Sequence, residues 1–306
     1  MTTKKKWENH EGLVLDSKNG YDIISCQHCG FNHCIPIPSN DDLEKIYKQE
    51  YYTKEKPQYI DHMKKDFDWW QTVYNDRYDS FENYLPSSEK TLLDVGSGTG
   101  YFLLQGKNRG WNVLGIEPNE QAAEYSRIVL GLEIIEDFLS DELALKLNKT
   151  FDVIHMSNVL EHIPNPKILI ETASKLLKKG GILCMVAPND YNPIQETLRN
   201  VDNFAPWWVA PPHHINYFSF ESLRSLIEHC GYKFLQHEST FPIEMFLLMG
   251  DNYIGNDVKG RECHSKRMSF EKKLSIAGFN EKKRKLFQSM ADVGIGREII
   301  IFAQKN

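Results

Sequence analysis

Cysteine and histidine crowd the beginning of this 306-residue chain, in a pattern that suits metal binding. Cys26-Gln-His-Cys29 sets two thiols at a C-x2-C spacing. Two such thiolates can take two corners of a tetrahedral zinc shell, at about 2.3 Å from the ion. His33 follows just past the Gly30 turn, and His10 lies on the preceding segment, which can return across a hairpin around Lys18-Asn-Gly20. Cys34 and His28 compete for the remaining positions. Strand alternation along Phe31 to Ile37 puts His33 with Phe31 and Ile35 on one face and Cys34 on the other, so only one of the two faces the metal. The expected ligands are His10, Cys26, Cys29 and His33. Four ligands close the shell, which makes this zinc structural rather than catalytic.

A second constellation is Asp94-Val-Gly-Ser-Gly-Thr-Gly100, between an apolar strand and a helix-like segment. Gly96, Gly98 and Gly100 let the backbone approach a ligand that side chains would exclude, with Ser97 between them. Tyr101 stands where a dinucleotide fingerprint needs a further glycine, so a pyrophosphate on the helix N-terminus is disfavoured. Glu117 ends the next strand, before Pro118, and its carboxylate can accept both ribose hydroxyls of a nucleoside. An adenosine without phosphates suits this loop and this acid.

The elements that position these residues follow from periodicity. Residues 1–40 read as a small loop-and-strand module ending in Ile35-Pro-Ile-Pro-Ser39, which cannot be helical. Residues 41–85 read as a helical lead: Asp42 is a cap candidate, Leu43, Ile46 and Tyr47 recur at helical spacing, and Trp69, Trp70, Tyr74 and Phe81 follow. Over 86–306, strands at Thr91 to Val95, Trp111 to Ile116, Glu133 to Ile135, Phe151 to Met156 and Ile182 to Val186 alternate with helices. One helix is capped by Asn165 with Pro166 first and closes on Lys178-Lys-Gly180. A helix over Ser219 to Cys230 and strands at Tyr232 to His237 and Arg297 to Ala303 follow. Residues 241–290 form an insertion able to cover the active site. The expected fold is α/β: a Rossmann-like, doubly wound, mostly parallel sheet, with the small zinc-binding module and the helical lead in front.

Leu93 to Gly100, with the acid Glu117, resembles the class I S-adenosylmethionine-dependent methyltransferases over about residues 86–190. The resemblance implies that Asp94 and the glycine loop bind this cofactor. It also implies that Asp137 and Phe138 hold and cover the adenine, and that Ser157 and Asn158 line the methionine end. Phe151 to Ile163, followed by the Pro-capped helix and Lys-Gly-Gly-Ile-Leu, is similar to the small-molecule branch. Ile24 to Phe31 through Pro36 to Ser39 resembles the N-terminal zinc unit of sugar and small-metabolite methyltransferases, which often uses four cysteines.

Methyl transfer from a sulfonium is an in-line displacement, and a hydroxyl acceptor must also lose a proton. A histidine suits that task. His214 and His213, in Pro-Pro-His-His-Ile-Asn-Tyr217, are the first candidates and His162 the next; Asp190 reads as a turn residue and His155 as a core histidine. The expected activity is O-methylation of a small polar metabolite or nucleotide-linked sugar with a histidine base. The alternatives are C- or N-methyl transfer, a nicotinamide-dependent oxidoreductase and an inactive scaffold.

Composition narrows the partners. Lys+Arg number 36 against 42 Asp+Glu, a net charge of -6 with no basic stripe to follow phosphates, so nucleic acid is excluded as the main partner. The basic runs Lys4 to Lys6 and Lys282 to Lys285 read as solvated faces. The polar N-terminus leads into no apolar signal segment, and no stretch approaches the roughly 20 apolar residues that span a bilayer. A cytoplasmic setting is expected, in which the six cysteines form no disulfides and Cys184 and Cys230 pack in the core.

Overall fold

A computed structural model describes residues 3–39, 43 and 58–306. The expected cap Asp42 and the periodic residues Ile46 and Tyr47 lie outside the described residues.

The chain opens with four antiparallel strands: β1 (Lys4–Trp7), β2 (His10–Lys18), β3 (Tyr21–Cys26) and β4 (Asn32–Ile35). Asn19 and Gly20, at φ 53 and 81, make the β2–β3 hairpin, the left-handed pair that matches strand twist. Helices α1 (Tyr59–Lys65) and α2 (Phe67–Tyr84) follow. Then come β5 (Thr91–Val95), α3 (Tyr101–Asn108), β6 (Asn112–Ile116), α4 (Glu120–Ile128), β7 (Ile134–Ile135) and α5 (Asp141–Leu147). The next elements are β8 (Phe151–Ser157), α6 (Pro166–Leu176), β9 (Leu177–Pro188), α7 (Pro193–Asp202), β10 (Asn216–Tyr217), α8 (Phe220–His229) and β11 (Tyr232–Ser239). The chain finishes with α9 (Met245–Leu248), α10 (Asp257–Ile276), α11 (Asn280–Asp292) and β12 (Glu298–Lys305).

Seven strands form the central sheet in the order β11-β12-β9-β8-β5-β6-β7, parallel from β9 to β7, with β12 antiparallel to both neighbours. Alternate residues feed opposite faces. Leu92, Val113 and Val153 pack with Tyr74, Tyr78, Phe81 and Phe102 of α2 and α3, whereas Leu93, Leu114 and Ile154 pack with Leu169, Ile170 and Leu223 of α6 and α8. Both faces of the sheet are thus covered, as a parallel sheet requires. The order runs outward from β5 to β7 on one side, then restarts at β8 on the other. The crevice beyond the ends of β5 and β8 is the topological switch point where such sheets bind ligands.

Four expectations are corrected. Helix α6 ends at Leu176 and β9 begins at once, so Lys178 to Gly180 lie in the strand rather than closing the helix. Partners distant in the chain hold this segment as strand: Lys178 Nζ bridges Asp152 at 3.2 Å and Glu89 at 2.9 Å, and Gly180 absorbs the irregularity at φ 76. The run Lys282 to Lys285 is not wholly solvated. Lys283 is fully buried against Asp76 at 2.7 Å, and Arg284 Nε donates to Glu238 at 3.1 Å. Burial pushes the Asp76 carboxyl up to about 6. Helices α10 and α11 of the insertion pack beside α2, where Arg261 grips Asp66 through two hydrogen bonds of 2.7 and 2.6 Å. They therefore do not cover the switch-point crevice; α1 and α2 do. The short third strand begins at Ile134, one residue later than expected.

The small sheet has five strands, β1-β2-β3-β4-β10, so its last strand comes from residues 216–217. Arg199 and Tyr191, after β9, both bond Asp16 of β2, at 2.8 and 2.9 Å.

Candidate functional site

A cleft of about 1010 Å³ opens at the switch point. Its floor is the turn after β5. Gly96 and Gly98 adopt φ 73 and 52, and a Cβ on Gly96 would sit 2.6 Å from Val159 Cγ2. Gly100, at φ 77, does not line the cleft: its Cβ would strike Leu132 and Ser126 Oγ, both at 2.7 Å, so this glycine lets α3 start close against the α4–β7 segment. Among the other expected cofactor residues, Asp94, Ser97, Glu117, Pro118, Asp137, Phe138, Ser157 and Asn158 all line the cleft. Trp70 and Tyr74 supply an aromatic wall.

Glu117 is 5% exposed and accepts hydrogen bonds from Gly98 N (2.7 Å) and Asn119 N (2.9 Å), one on each oxygen. Each oxygen keeps a lone pair for a ligand hydroxyl. Burial pushes this carboxyl up to about 7. Asp137 accepts from the Phe138 amide at 2.8 Å, and the following helix is capped by Ser140 instead. Asn158, at φ 54, donates to Glu298 Oε1 at 3.1 Å. Asp94 accepts from His155 Nδ1 at 2.7 Å, and Arg77 reaches the other ring nitrogen. His155 is thus satisfied, as a core histidine should be, and also lines the cleft.

A cluster of acids and bases occupies another part of the cleft wall. His162 Nδ1 donates to the His213 carbonyl at 2.6 Å, and its Nε2 stands 3.7 Å from Glu161 Oε1. The His162 and His214 rings are 5.1 Å apart at a steep angle. Asp190 Oδ2 lies 4.0 Å from His214 Nδ1, and burial pushes the Asp190 carboxyl up to about 6. Three hydrogen bonds pin the turn at residues 160–163 to the start of β10: Ile215 N donates to Glu161 O (2.6 Å), and Asn216 Nδ2 donates to Leu160 O (2.8 Å) and Ile163 O (2.7 Å). His162 and His214 line the cleft, whereas His213 does not. Sequence reasoning missed Glu161, Arg77 and Arg297, all of which line it. Glu161 carried a signal in its adjacency to His162; the other two are brought in by tertiary packing.

At the N-terminal sheet, the four expected metal ligands converge: one ligand atom each of His10, Cys26, Cys29 and His33 lies within 4.8 Å of every other. His10 Nδ1 is 3.3 Å from Cys29 Sγ and 3.7 Å from Cys26 Sγ. His33 is 1% exposed; its Nδ1 donates to the Cys34 carbonyl at 2.9 Å, and its Nε2 has no hydrogen-bond partner among the described residues. Burial holds His33 down at about 4, hence neutral and able to ligate, and burial beside Cys26 pushes the Cys29 thiol up. Cys34 packs on the opposite face with Ile23. An orphaned buried imidazole nitrogen beside two thiols fits a soft divalent ion.

A doubly wound sheet with a glycine floor and a buried acid at the switch point defines a nucleoside-binding α/β enzyme. Residues 68–237 match the family described as a methyltransferase domain, and the chain belongs to that family. Its Rossmann-like fold is the one that S-adenosylmethionine-dependent methyltransferases share. The chain is 36% identical over 105 residues to the ubiquinone biosynthesis O-methyltransferase of Histophilus somni, covering 31% of this chain and 44% of that protein. It is 34% identical over 128 residues to the protein of the same name from Idiomarina loihiensis, covering 40% and 49%. The chain thus spans less than half the length of these curated relatives. Among solved structures, it resembles the plantazolicin methyltransferase BamL in complex with an analogue and SAH, with TM-score 0.53 and 16% identity over 86% of this chain and 96% of that one. That likeness bears on the fold alone. Among the described residues, no helix is long and apolar enough to cross a membrane.

Proposed function

We propose that this enzyme transfers a methyl group to a hydroxyl of a small polar metabolite, with His214 and His162 at the acceptor. The carrying observation is that these two histidines line the same cleft as the glycine floor and Glu117. The O-methyl transfer for which the curated relatives are named supports the same reaction class. A nucleotide-linked sugar is the narrower acceptor, and its support is the resemblance of the N-terminal unit.

Glu117 would accept the ribose hydroxyls, Asp137 and Phe138 would hold and cover the adenine, and Ser157 and Asn158 would line the methionine end. Asp94 and Ser97 would border the methionine end from the floor formed by Gly96 and Gly98, and Pro118 would flank the ribose; Gly100 would act indirectly, through the start of α3. When bound, S-adenosylmethionine supplies a methyl group activated by its sulfonium. A histidine ring nitrogen would take the acceptor proton as the carbon–oxygen bond forms. The aromatic wall of Trp70 and Tyr74 would exclude water and favour the sulfonium. His10, Cys26, Cys29 and His33 would hold one structural zinc, and a reducing, cytoplasmic setting would keep Cys26 and Cys29 available to it.

Calorimetric titration with S-adenosylmethionine and S-adenosylhomocysteine, with NAD as control, tests the cofactor site. Micromolar binding of the first two, abolished in Glu117→Ala, is expected; equal binding by that variant would overturn the ribose placement. An acceptor screen on the active protein then reads the methylated atom.

A further inference from the structure

The geometry points to a specificity pair at the head of β12: Arg297 and Glu298 together bind adjacent hydroxyls on an uncharged, polyhydroxylated part of the acceptor. This rests on the acceptor reading above and gives its hydroxyl-bearing metabolite a chemical class. Both residues line the cleft. Because β12 runs antiparallel to β9 and Glu298 pairs with Pro188, the first residues of β12 lie at the carboxyl ends of the parallel strands, on the switch-point side.

Arg297 is held from behind and open in front. Its Nη1 stands 3.4 Å from Asp190 Oδ1, just after β9, and 3.3 Å from Glu244 Oε1, just before α9. Gln195 Nε2 of α7 reaches the same two carboxylates at 3.5 and 3.4 Å. Asp190 and Glu244 are both buried, so one end of the guanidinium sits in a fixed frame. A guanidinium carries five N–H donors. Neither Nη2 nor Nε bonds a described residue, and 32% of the side chain is exposed. Glu298 repeats the arrangement with the opposite polarity: Asn158 Nδ2 donates to its Oε1 at 3.1 Å, and its Oε2 has no partner among the described residues. The insertion thus serves the site without covering it, since its Glu244 sets the guanidinium.

The charge around the pair selects the ligand. Asp190, Glu244 and Glu298 all act on Arg297, and the neighbouring Arg267 feels the same group. These three carboxylates outnumber the two guanidiniums, and burial already pushes Asp190 up to about 6. A phosphate or carboxylate on the acceptor would add to that excess. A hydroxyl adds nothing to it: it accepts from a guanidinium N–H and donates to a carboxylate oxygen, so two neighbouring hydroxyls use both halves of the pair. The Asp190 carboxylate that faces Arg297 through Oδ1 has its Oδ2 4.0 Å from His214 Nδ1. One carboxylate therefore separates the pair from the histidine placed at the acceptor, a span that a single sugar-sized ring covers.

The test uses the full chain saturated with S-adenosylhomocysteine. Saturation-transfer nuclear magnetic resonance reads titrations with D-glucose, D-galactose and D-mannose, with D-glucose 1-phosphate and D-glucuronate as anionic counterparts. Transfer to at least one neutral sugar is expected, stronger than to either anion. Arg297→Lys keeps a charge for Asp190 and Glu244 but loses the planar fork. That variant and Glu298→Gln should each weaken sugar binding about tenfold, while calorimetric affinity for S-adenosylhomocysteine stays within about twofold. Lysine would rescue a purely anchoring role, so unchanged sugar binding in both variants would overturn the assignment. Stronger transfer to the anions would overturn the uncharged class. Wild type that binds S-adenosylhomocysteine but no sugar would overturn the inference and leave the hydroxyl-acceptor reading standing; wild type that binds neither would sink the cofactor reading and this inference with it. If one variant fails to fold, the other decides.

Discussion

Arg77 Nη1 lies 3.1 Å from His155 Nε2, and because a guanidinium can only donate, this contact fixes the tautomer of a buried histidine. The ring must carry its proton on Nδ1, which donates to Asp94 at 2.7 Å, and burial lowers its tendency to take a second. A residue of the helical lead thereby sets the acid that opens the glycine floor. Replacing Arg77 with Met should leave His155 Nε2 unsatisfied and cost about 1–3 kcal/mol, read from the denaturation midpoint. S-adenosylhomocysteine affinity should fall as well. An unchanged midpoint and affinity would show that Asp94 needs no such support.

Glu117, as the proposed ribose acceptor, should make cofactor affinity depend on pH. Its carboxyl titrates at about 7 in the free protein because burial disfavours the charge, whereas accepting both ribose hydroxyls requires the ionised form. Affinity should therefore be full above pH 7 and weaken below it, by up to about tenfold per pH unit. Calorimetry from pH 5.5 to 8.5 should show this slope, and Glu117→Gln should flatten it at a lower affinity.

The N-terminal cluster should retain one tightly held zinc. Metal analysis should find about one equivalent in wild type and almost none in Cys26→Ser. Chelation should lower the melting temperature, since an ion that binds the folded state at a thousandfold excess over its Kd contributes about 4 kcal/mol. Normal folding with no zinc would remove this site.

The histidines of the Pro-Pro-His-His loop should separate in kinetics. His214→Ala should lower kcat/KM on a hydroxyl acceptor by about 10²- to 10⁴-fold, because His214 lines the cleft. His213→Ala should cost far less, since its contribution there is a backbone carbonyl, which the substitution keeps. Equal losses would mean that the loop acts as one unit.

A clash rather than a charge governs the last test. Gly96→Ala would force a left-handed residue to carry a Cβ 2.6 Å from Val159 Cγ2. It should destabilise the protein by about 1–2 kcal/mol and weaken cofactor binding, and adding Val159→Ala should recover part of the loss. Absence of any recovery would place the whole penalty in the backbone.

Much of this was legible locally. The alternation of strands with helices after Pro86, the Asn165-Pro166 helix start and the Asn19-Gly20 turn are short-range signals, and they return the parallel sheet and the hairpin that brings His10 back to Cys26 and Cys29. What escaped depends on tertiary partners. Lys283 sits in a basic run yet is buried because Asp76, two hundred residues earlier, waits for it. Gly100 shares its motif with Gly96, but its neighbours are Leu132 and Ser126 rather than the cleft. No spacing announces that Arg77, on a helix outside the glycine motif, reaches His155 under the cleft.

The pairing of β10 with β4 sets His33 opposite Asn216, two residues beyond His214. Strands β1 to β4 and the segment that carries His214 are therefore one woven piece: the cysteine-bearing strands lend their edge to residues coded almost two hundred positions later. Trimming the chain to its glycine-loop portion would strip that segment of its neighbour and release the Asn216 anchor of the 160–163 turn. A form cut back behind β4 is therefore expected to lose the shape of this turn.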